Sequence, residues 1–319
     1  MLPDFYFTLH FSCGLLASVI GLTFCIMTIC IVIINRQCHD VTNLLGCNTC
    51  TTVIFYYIII IIMCIYGLRE DWAFNSPQCA FRGYCYTVSI ALICNSFAIQ
   101  AISRLFFAVF YKYRYLHNYR THYIMIIIHW SISFLASSIP FFIESSYGFE
   151  KESRACVLTT KVFAGSMYAG VIVCLIPLNT VTIVYGIILY RVRQSTRRIT
   201  MIVPTTLNGV PRNNIATPNM KREIKIMQQM STQSSLMSGG GLLMFFLCIW
   251  YKIQHSAPEV LYLLAITLIT ICVTLLTITQ FIMNTKVKNI AMHYIYPRPP
   301  ATTIQTTTLV RQAAQQARE

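Results

Sequence analysis

The segment CAFRGYCYTVSIALICNSFAIQAISRL, residues 79–105, has the length and polarity of a membrane-spanning helix. It begins at Cys79, continues through mostly apolar and small residues, and reaches Arg104 after 25 positions. An α-helix rises about 1.5 Å per residue, so this interval measures about 37 Å and exceeds the roughly 30 Å hydrocarbon core of a bilayer. The segment therefore predicts a transmembrane helix with a thiol near one end and a cation near the other.

Six further apolar stretches have the same character. The seven predicted spans lie at about residues 9–34, 41–66, 79–111, 122–143, 162–190, 236–251 and 260–283. Hydrophobic residues make up 56% of the chain and charged residues 11%, whereas a soluble domain carries about 25% charged residues. Hydrocarbon offers no partner for backbone polar groups, so each span is predicted to be helical. The predicted fold class is an all-α membrane protein, a seven-transmembrane helix bundle.

Charged residues are distributed unevenly around these spans. If the N-terminus lies outside the cell, 18 of the 24 Lys and Arg residues fall in segments that face the cytosol. Seven of the ten acidic residues then fall outside. Loops rich in Lys and Arg remain cytoplasmic, so the sequence predicts an N-terminus outside and a cytoplasmic C-terminus. The net charge of +14 is interpreted as contact with the anionic lipid bilayer, with no nucleic acid as partner.

The predicted organisation has three parts. Residues 1–8 form a short extracellular N-terminus, residues 9–284 the seven-transmembrane domain, and residues 285–319 a juxtamembrane helix with a cytoplasmic tail. The first span lacks a basic leader and is predicted to be an uncleaved signal anchor. A long intracellular loop covers about residues 191–235, and its prolines and polar residues favour disorder in the middle.

Two of the fourteen cysteines differ from the others, which mostly lie inside spans as packing residues. Cys79 begins the third span, and Cys156 lies in the outer loop between the fourth and fifth spans. Both face the oxidising side of the membrane, where disulfides persist. A Cys79–Cys156 disulfide is therefore predicted, and Cys85, about two turns deeper, is the alternative partner for Cys156.

The order and spacing of several residues resemble the rhodopsin-like family of G protein-coupled receptors, over nearly all of the chain. Ser103-Arg104-Leu105 falls on the Asp-Arg-Tyr motif of the family's third helix. The remaining matches are Trp72 and Phe74 in the first outer loop, Trp130 in the fourth helix, Pro177 and Tyr185 in the fifth, Phe246 and Trp250 in the sixth, and residues 284–288 at the junction with an eighth helix. The sequence is thus similar to a seven-helix receptor with a divergent set of motifs.

Four departures from the family pattern concern activation. Ser103 replaces the acid that holds the arginine in the resting state, and Val53 stands at the position of the second-helix aspartate. Lys252 occupies the place of the sixth-helix proline, and residues 276–280 replace Asn-Pro-x-x-Tyr. Without an acid at position 103, Arg104 is expected to be less restrained, and basal activity is expected to be elevated.

The resemblance implies a G protein-coupled receptor of the plasma membrane, which transduces an extracellular ligand signal to a heterotrimeric G protein. The residues that the resemblance implies in G protein coupling and activation are Ser103, Arg104, Leu105 and Tyr185. The predicted ligand pocket is lined by Tyr86, Thr87, Ile90, Ala169, Val173, Trp250, Ile253, Ile266 and Thr270. Tyr86 stands where amine receptors carry aspartate, and the outer halves of the helices contain no acid. A monoamine ligand is therefore disfavoured, and a peptide or a small apolar molecule is compatible.

An enzyme and a transporter or channel are the alternatives to a receptor. An enzyme is not expected, because the spans contain no paired carboxylates, His-rich metal set or activated nucleophile; neither a metal nor a cofactor is expected. The alternative function is a seven-span transporter or chemoreceptor channel that does not couple to G proteins. Transporters usually carry internal repeats and intramembrane ionisable residues, neither of which the sequence displays.

Overall fold

A computed structural model describes residues 4–69, 77–143, 145–202, 218–256 and 258–295 of the chain. Its α-helices are α1 (Asp4–Ile34), α2 (Val41–Arg69), α3 (Pro77–Ala108), α4 (Tyr119–Ser138), α5 (Phe163–Ala169), α6 (Ile176–Ile202), α7 (Pro218–Gln254), α8 (Glu259–Met283) and α9 (Thr285–Ile295). A π-helical segment (Gly170–Leu175) joins α5 to α6, and these three elements build the fifth span, Phe163–Arg191. Short 3-10 turns follow α1, precede α4 and extend α4.

Seven helical segments are long and apolar enough to cross a membrane, which confirms the predicted seven-helix bundle. The sixth segment, Ser234–Gln254, is part of α7, and this helix starts as far back as Pro218. The three glycines at 239–241 therefore lie inside a continuous helix instead of interrupting it. Tertiary packing overrides the roughly 1 kcal/mol that each glycine costs relative to alanine.

The two ends of the bundle differ in structure, and we call them the hairpin end and the Arg104 end. The hairpin end carries the antiparallel strands β1 (Tyr147–Glu150) and β2 (Ala155–Leu158), with Tyr147 opposite Leu158 and Glu150 opposite Ala155. The Arg104 end carries the C-terminus of α3, the N-terminus of α4, and α9. A disulfide between Cys79 and Cys156 ties β2 to the start of α3, as predicted, and Cys85 is a free, half-buried thiol.

Helices α2, α3 and α8 form the centre of the bundle. Tyr56 and Tyr57 of α2 are fully buried and bond to threonines of α8: the hydroxyl of Tyr56 lies 3.0 Å from that of Thr270, and the hydroxyl of Tyr57 lies 3.2 Å from that of Thr274. In contrast, α4 turns apolar side chains such as Ile127 outwards, as a lipid-facing helix must. Polar contacts are thus concentrated between α2 and α8, away from lipid.

The short helix α9 packs across the Arg104 end. Val287 and Ala291 are buried against Ile31, Val32 and Cys38 at the end of α1 and in the turn after it. Lys286 forms a 2.7 Å ion pair with Asp40, and the side chain of Asn284 donates to that of Asn43 at 2.8 Å. These contacts fix α9 against the first two spans.

The α1–α2 contact generates a prediction about stability. A Cβ atom at Gly21 would overlap the buried hydroxyl of Tyr57, which cannot move without losing its bond to Thr274. Gly21→Ala is therefore expected to lower the free energy of unfolding by about 1–3 kcal/mol. Gly186 has no atom within 4 Å of a built Cβ, so Gly186→Ala should be neutral or stabilising by up to about 1 kcal/mol. Thermal midpoints of the purified variants test the pair, and equal midpoints would contradict this packing.

Candidate functional site

A cavity of about 270 Å³ lies between α3, the fifth span, α7 and α8. Val157 and Leu158 of β2, followed by Thr160, form its wall at the hairpin end. All of the residues that line it are uncharged, and most of them are aliphatic, aromatic or sulfur-containing. A mostly apolar cleft with a few polar groups is the usual form of a small-molecule site, and this one lies near the lower end of the typical volume range.

Five of the nine predicted pocket residues line this cavity. Tyr86, Thr87 and Ile90 contribute the α3 wall, and Ala169 and Val173 contribute the wall of the fifth span. Tyr86 is buried, with its ring 6.1 Å from that of Tyr56. The structure thus brings together residues that are 79 to 87 positions apart in the chain, although whether they bind a ligand stays a prediction.

Two predicted pocket residues on α7 do not line this cavity. Met244, Phe245 and Cys248 of this helix line the cavity, whereas Trp250 packs against Phe246 with ring centroids 5.6 Å apart and Ile253 is 72% exposed. Two positions along an α-helix turn a side chain by about 200°, so residues 248 and 250 face opposite directions. The rotation of α7 about its axis therefore removes both predicted residues from the pocket.

Two predicted pocket residues on α8 likewise lie outside the lining of this cavity. Ile269 and Cys272 supply the α8 wall, while Ile266 packs near His10 of α1 and Thr270 bonds to Tyr56 of α2. The cause is the central position of α8, which presents one face to α1 and α2 and another to the cavity.

Sequence reasoning assigned most cysteines to packing and missed that four thiols converge on the cavity. They belong to four different spans: Cys94, Cys174, Cys248 and Cys272. The thiols of Cys94 and Cys174 are in hydrogen-bond contact across the interface of α3 with the fifth span. Within the described ranges, no three His, Cys, Asp or Glu side chains lie close enough together to hold a metal ion. The four thiols are small, polarisable groups in the cavity wall.

A buried carboxyl group holds the hairpin in the mouth of the bundle. Glu150 of β1 is fully buried and accepts hydrogen bonds from the backbone N–H and the hydroxyl of Thr160, at 3.1 and 2.9 Å. Because a carboxylate only accepts, the Thr160 hydroxyl donates to Glu150 and accepts from the hydroxyl of Tyr262 on α8. Burial raises the pKa of Glu150, although the two Thr160 donors act against that shift.

From the sequence, Glu150 could be placed only in an outer loop. The network brings this acid next to the cavity. Thr160 lines the cavity and stands between it and Glu150, so no carboxylate belongs to the cavity wall itself. The pairing of β1 with β2 joins residues 5 to 11 positions apart. The docking of the hairpin on α8 joins Thr160 to Tyr262, 102 positions away, and no local pattern in the sequence signals that contact.

At the Arg104 end, Ser103 is buried and engages α4 instead of the arginine. Its hydroxyl lies 2.9 Å from Nε2 of His122, and Nδ1 of His122 lies 3.0 Å from the carbonyl oxygen of Asn118. A carbonyl only accepts, so in the neutral imidazole Nδ1 carries the proton and Ser103 donates to Nε2. Phe107 stacks on His122 with centroids 6.0 Å apart. No role for His122 was predicted from the sequence.

The other residues predicted for coupling lie on α3 and α6. Arg104 is half-buried at the same turn of α3. Leu105 and Tyr185, one from α3 and one from α6, both pack against the central core. Trp72 and Phe74 fall outside the described residues.

On α2 and α8, uncharged side chains occupy the positions where the family motifs are lost. Val53 is fully buried in the core. At the end of α8, Gln280 donates to the carbonyl oxygen of Gly46 at 3.2 Å, and Asn284 bonds to Asn43 one turn further on. Amide hydrogen bonds therefore fix the end of α8 to α2 where the resemblance would lead one to expect Asn-Pro-x-x-Tyr.

Comparison with known proteins agrees with this geometry. The family model described as 7 transmembrane receptor (rhodopsin family) matches residues 25–289. A crystal structure of squid rhodopsin has a similar fold, with a TM-score of 0.75 and 14% sequence identity, over 93% of this chain and 87% of that chain. No curated protein matches the chain in sequence.

The Glu150 network generates a prediction about pH. A carboxyl group whose pKa is raised in the folded state binds its proton more tightly there, so stability falls as pH rises through the raised pKa. We expect the thermal midpoint of the purified protein to rise as pH is lowered through the raised pKa toward the ordinary value of about 4.5. Glu150→Gln should abolish this pH dependence, because an amide does not titrate. The fold should be kept, because the amide can accept from the Thr160 N–H and donate to the Thr160 hydroxyl.

The matched control is Glu152→Gln in the same hairpin. Glu152 pairs with Lys161 at 3.8 Å on the partly exposed side, and both of these charges act on Glu150. We expect this variant to retain most of the pH dependence, because burial is the largest cause of the raised Glu150 pKa and the Glu152 charge a smaller one. The burial argument would be refuted if Glu150→Gln kept the wild-type slope of midpoint against pH.

Proposed function

Since the chain belongs to the rhodopsin family of seven-transmembrane receptors, we propose that it is a G protein-coupled receptor that converts binding of a ligand in the cavity into activation of a heterotrimeric G protein. The observation that carries this proposal is the position of two sites on one central helix. Tyr86 and Ile90 of α3 line the cavity, and Ser103 and Arg104 lie about four turns further along the same helix. A ligand that binds two states of the bundle unequally shifts the equilibrium at both sites.

We place the hairpin end outside the cell and the Arg104 end in the cytosol, at the plasma membrane. The excess of Lys and Arg in the segments next to Arg104 supports this orientation. The Cys79–Cys156 disulfide supports it independently, because disulfides persist on the oxidising side of a membrane. Residues 1–8 are then the extracellular N-terminus, 9–284 the receptor domain, and 285–319 the cytoplasmic helix and tail.

The ligand that the cavity favours is small and uncharged. A cationic amine in this site would need a counter-ion, and the lining residues include none. A large peptide is disfavoured because the hairpin is sunk into the mouth of the bundle, with Glu150, Ser153 and Cys156 all buried. The volume of about 270 Å³ suits a compact molecule.

Coupling is assigned to Arg104 and Tyr185, with Ser103 and Leu105 beside them. Position 103 provides no carboxylate for an ion pair with Arg104, and the Ser103 hydroxyl is already used by His122. A charge-assisted hydrogen bond is about twice as strong as a neutral one, so its loss weakens restraint of the resting state. Elevated basal activity follows from this argument.

The test of coupling is G protein activation in cells at matched surface expression. Arg104→Glu is expected to reduce basal nucleotide exchange by about 5- to 150-fold, the range of typical coupling free energies. Arg36→Glu, which reverses an exposed charge at the same end but in the turn after α1, is the control and should leave exchange unchanged.

A second substitution tests the basis of the basal signal. Ser103→Asp restores an acid beside Arg104 and should lower ligand-independent exchange. If wild-type protein displays no basal exchange and Ser103→Asp makes no difference, the loss of restraint at Arg104 is not a property of this receptor.

The second candidate is a seven-span transporter or channel without G protein coupling. The orientation of the chain in the membrane distinguishes the receptor from one of these, the chemoreceptor channel. We expect an epitope tag at the N-terminus to be accessible to antibody on intact cells and a tag at the C-terminus only after permeabilisation. Labelling of the C-terminal tag on intact cells would overturn the orientation and favour a chemoreceptor channel.

A further inference from the structure

We propose that the cavity is entered sideways from the hydrocarbon core of the bilayer, through a gap between the fifth span and α7. The ligand is then an uncharged lipophilic molecule with one hydrogen-bonding group, which pairs with the side chain of Asn179. This inference rests on the proposed function, since it names the ligand class and the access route of the same cavity.

The gap is defined by cavity-lining residues that are also exposed on the outside of the bundle. Leu175, Asn179 and Thr182 of the fifth span are exposed, and Leu242 of α7 is 63% exposed. Elsewhere the walls are closed, as at Ala169. The cavity therefore reaches the lipid-facing surface between these two spans.

Glycines keep the α7 side of the gap open. Gly240 packs on α8, where a Cβ atom would come within 3.1 Å of Ile269. Gly241 lines the cavity and has no atom within 4 Å of a built Cβ. The missing side chain at Gly241 therefore leaves free space in which a ligand can pass.

The gap lies at the depth of the acyl chains. Asn179 follows the start of the fifth span at Phe163 by 16 residues, and Gly241 precedes the end of α7 at Gln254 by 13 residues. At about 1.5 Å per residue these positions lie about 24 and 20 Å from the hairpin end of each helix. Both lie inside their membrane segments, Phe163–Arg191 and Ser234–Gln254, at least about 10 Å from either end, so the opening meets hydrocarbon rather than water.

The hairpin closes the alternative route from water. Val157 and Thr160 line the cavity at this end and are both buried. The disulfide from Cys156 to Cys79 and the Glu150 network hold this hairpin on α3 and α8. Entry from the hairpin end would require breaking these contacts, whereas entry through the gap requires none of them to break.

Asn179 identifies the polar feature of the ligand. Its amide is exposed at mid-depth, and it forms no hydrogen bond with another residue in the part of the chain that the structure describes. An amide without a partner in hydrocarbon costs several kcal/mol. A carbonyl or hydroxyl group on the ligand would satisfy it, which fits a lipophilic molecule with a single polar group.

The experiment uses the full-length protein in phosphatidylcholine vesicles and benzophenone, an uncharged photoprobe with one carbonyl oxygen. Samples are irradiated at increasing delays after mixing, and adducts on Tyr86 and Thr87 are quantified by mass spectrometry. Both side chains are buried and line the cavity, so adducts on them report entry of the probe.

Substitutions at the edge of the gap test the route. Leu242→Trp is expected to lower the rate of adduct formation about tenfold, which corresponds to a barrier raised by about 1.4 kcal/mol, and Leu242→Ala should raise it. The same substitutions at Ile249, which is exposed on α7 outside the cavity lining, should have no effect. Unchanged rates in both Leu242 variants would overturn the lateral route, as would equally fast entry of a benzophenone that carries a sulfonate.

A second pair of variants tests Asn179. Asn179→Leu should lower the final benzophenone yield about two- to tenfold, as expected for one lost hydrogen bond, without affecting a phenyldiazirine that lacks an oxygen. Thr180→Leu is the control, because the Thr180 hydroxyl bonds to the Ile176 carbonyl at 2.9 Å. An equal loss with both probes would overturn the role of Asn179.

Adduct formation needs no G protein, so the two proposals fail separately. Slow entry in Leu242→Trp with no effect of Arg104→Glu on signalling would leave the route intact and remove the coupling. Unchanged entry in Leu242→Trp together with reduced signalling in Arg104→Glu would leave a coupled receptor whose ligand enters elsewhere.

Discussion

Hydrocarbon provides no hydrogen-bond partner for a backbone amide, and the arrangement of the whole bundle follows from this constraint. Each span satisfies its own backbone as a helix, and polar side chains must then bond within or between helices. Threonines do so by donating to carbonyl oxygens one turn back, as Thr274 does to Thr270 at 2.9 Å. Between helices, polar contacts join α2 to α8, as at Tyr56 and Thr270, and α3 to α4, as at Ser103 and His122.

The α2–α8 interface also explains how the bundle holds together without the charged motifs of its family. Tyr56 and Tyr57 reach threonines on α8, and Gln280 and Asn284 continue the contact to the Arg104 end. All of these groups are neutral, so the interface pays little desolvation energy for ions. Together they fix α8 to α2 along much of its length.

The region around α7 is organised differently and contains the proposed ligand site. Gly240 allows α7 to approach α8, and Gly241 leaves the cavity open toward lipid. On the hairpin side the Glu150 network and the disulfide hold a fixed cover. The structure therefore combines a fixed cover at the hairpin end with a gap between the fifth span and α7, and under the proposed function an occupant of that gap biases the equilibrium between two states of the bundle.

The sequence by itself determined that seven helices are long and apolar enough to cross a membrane, because this depends on local composition. The sequence also favoured a Cys79–Cys156 disulfide, with Cys85 as the alternative partner of Cys156. It also located the α3 wall of the cavity, since the spacing from Cys79 sets depth along one helix. Only the tertiary structure decided that Trp250 and Ile253 turn away from the cavity and that Ile266 and Thr270 face α1 and α2. It likewise decided the partners of Ser103 and Glu150. The physical reason is that the rotation of a helix about its axis is set by the side chains of its neighbours. In an almost wholly apolar span the sequence of that helix alone carries no amphipathic pattern that fixes this rotation.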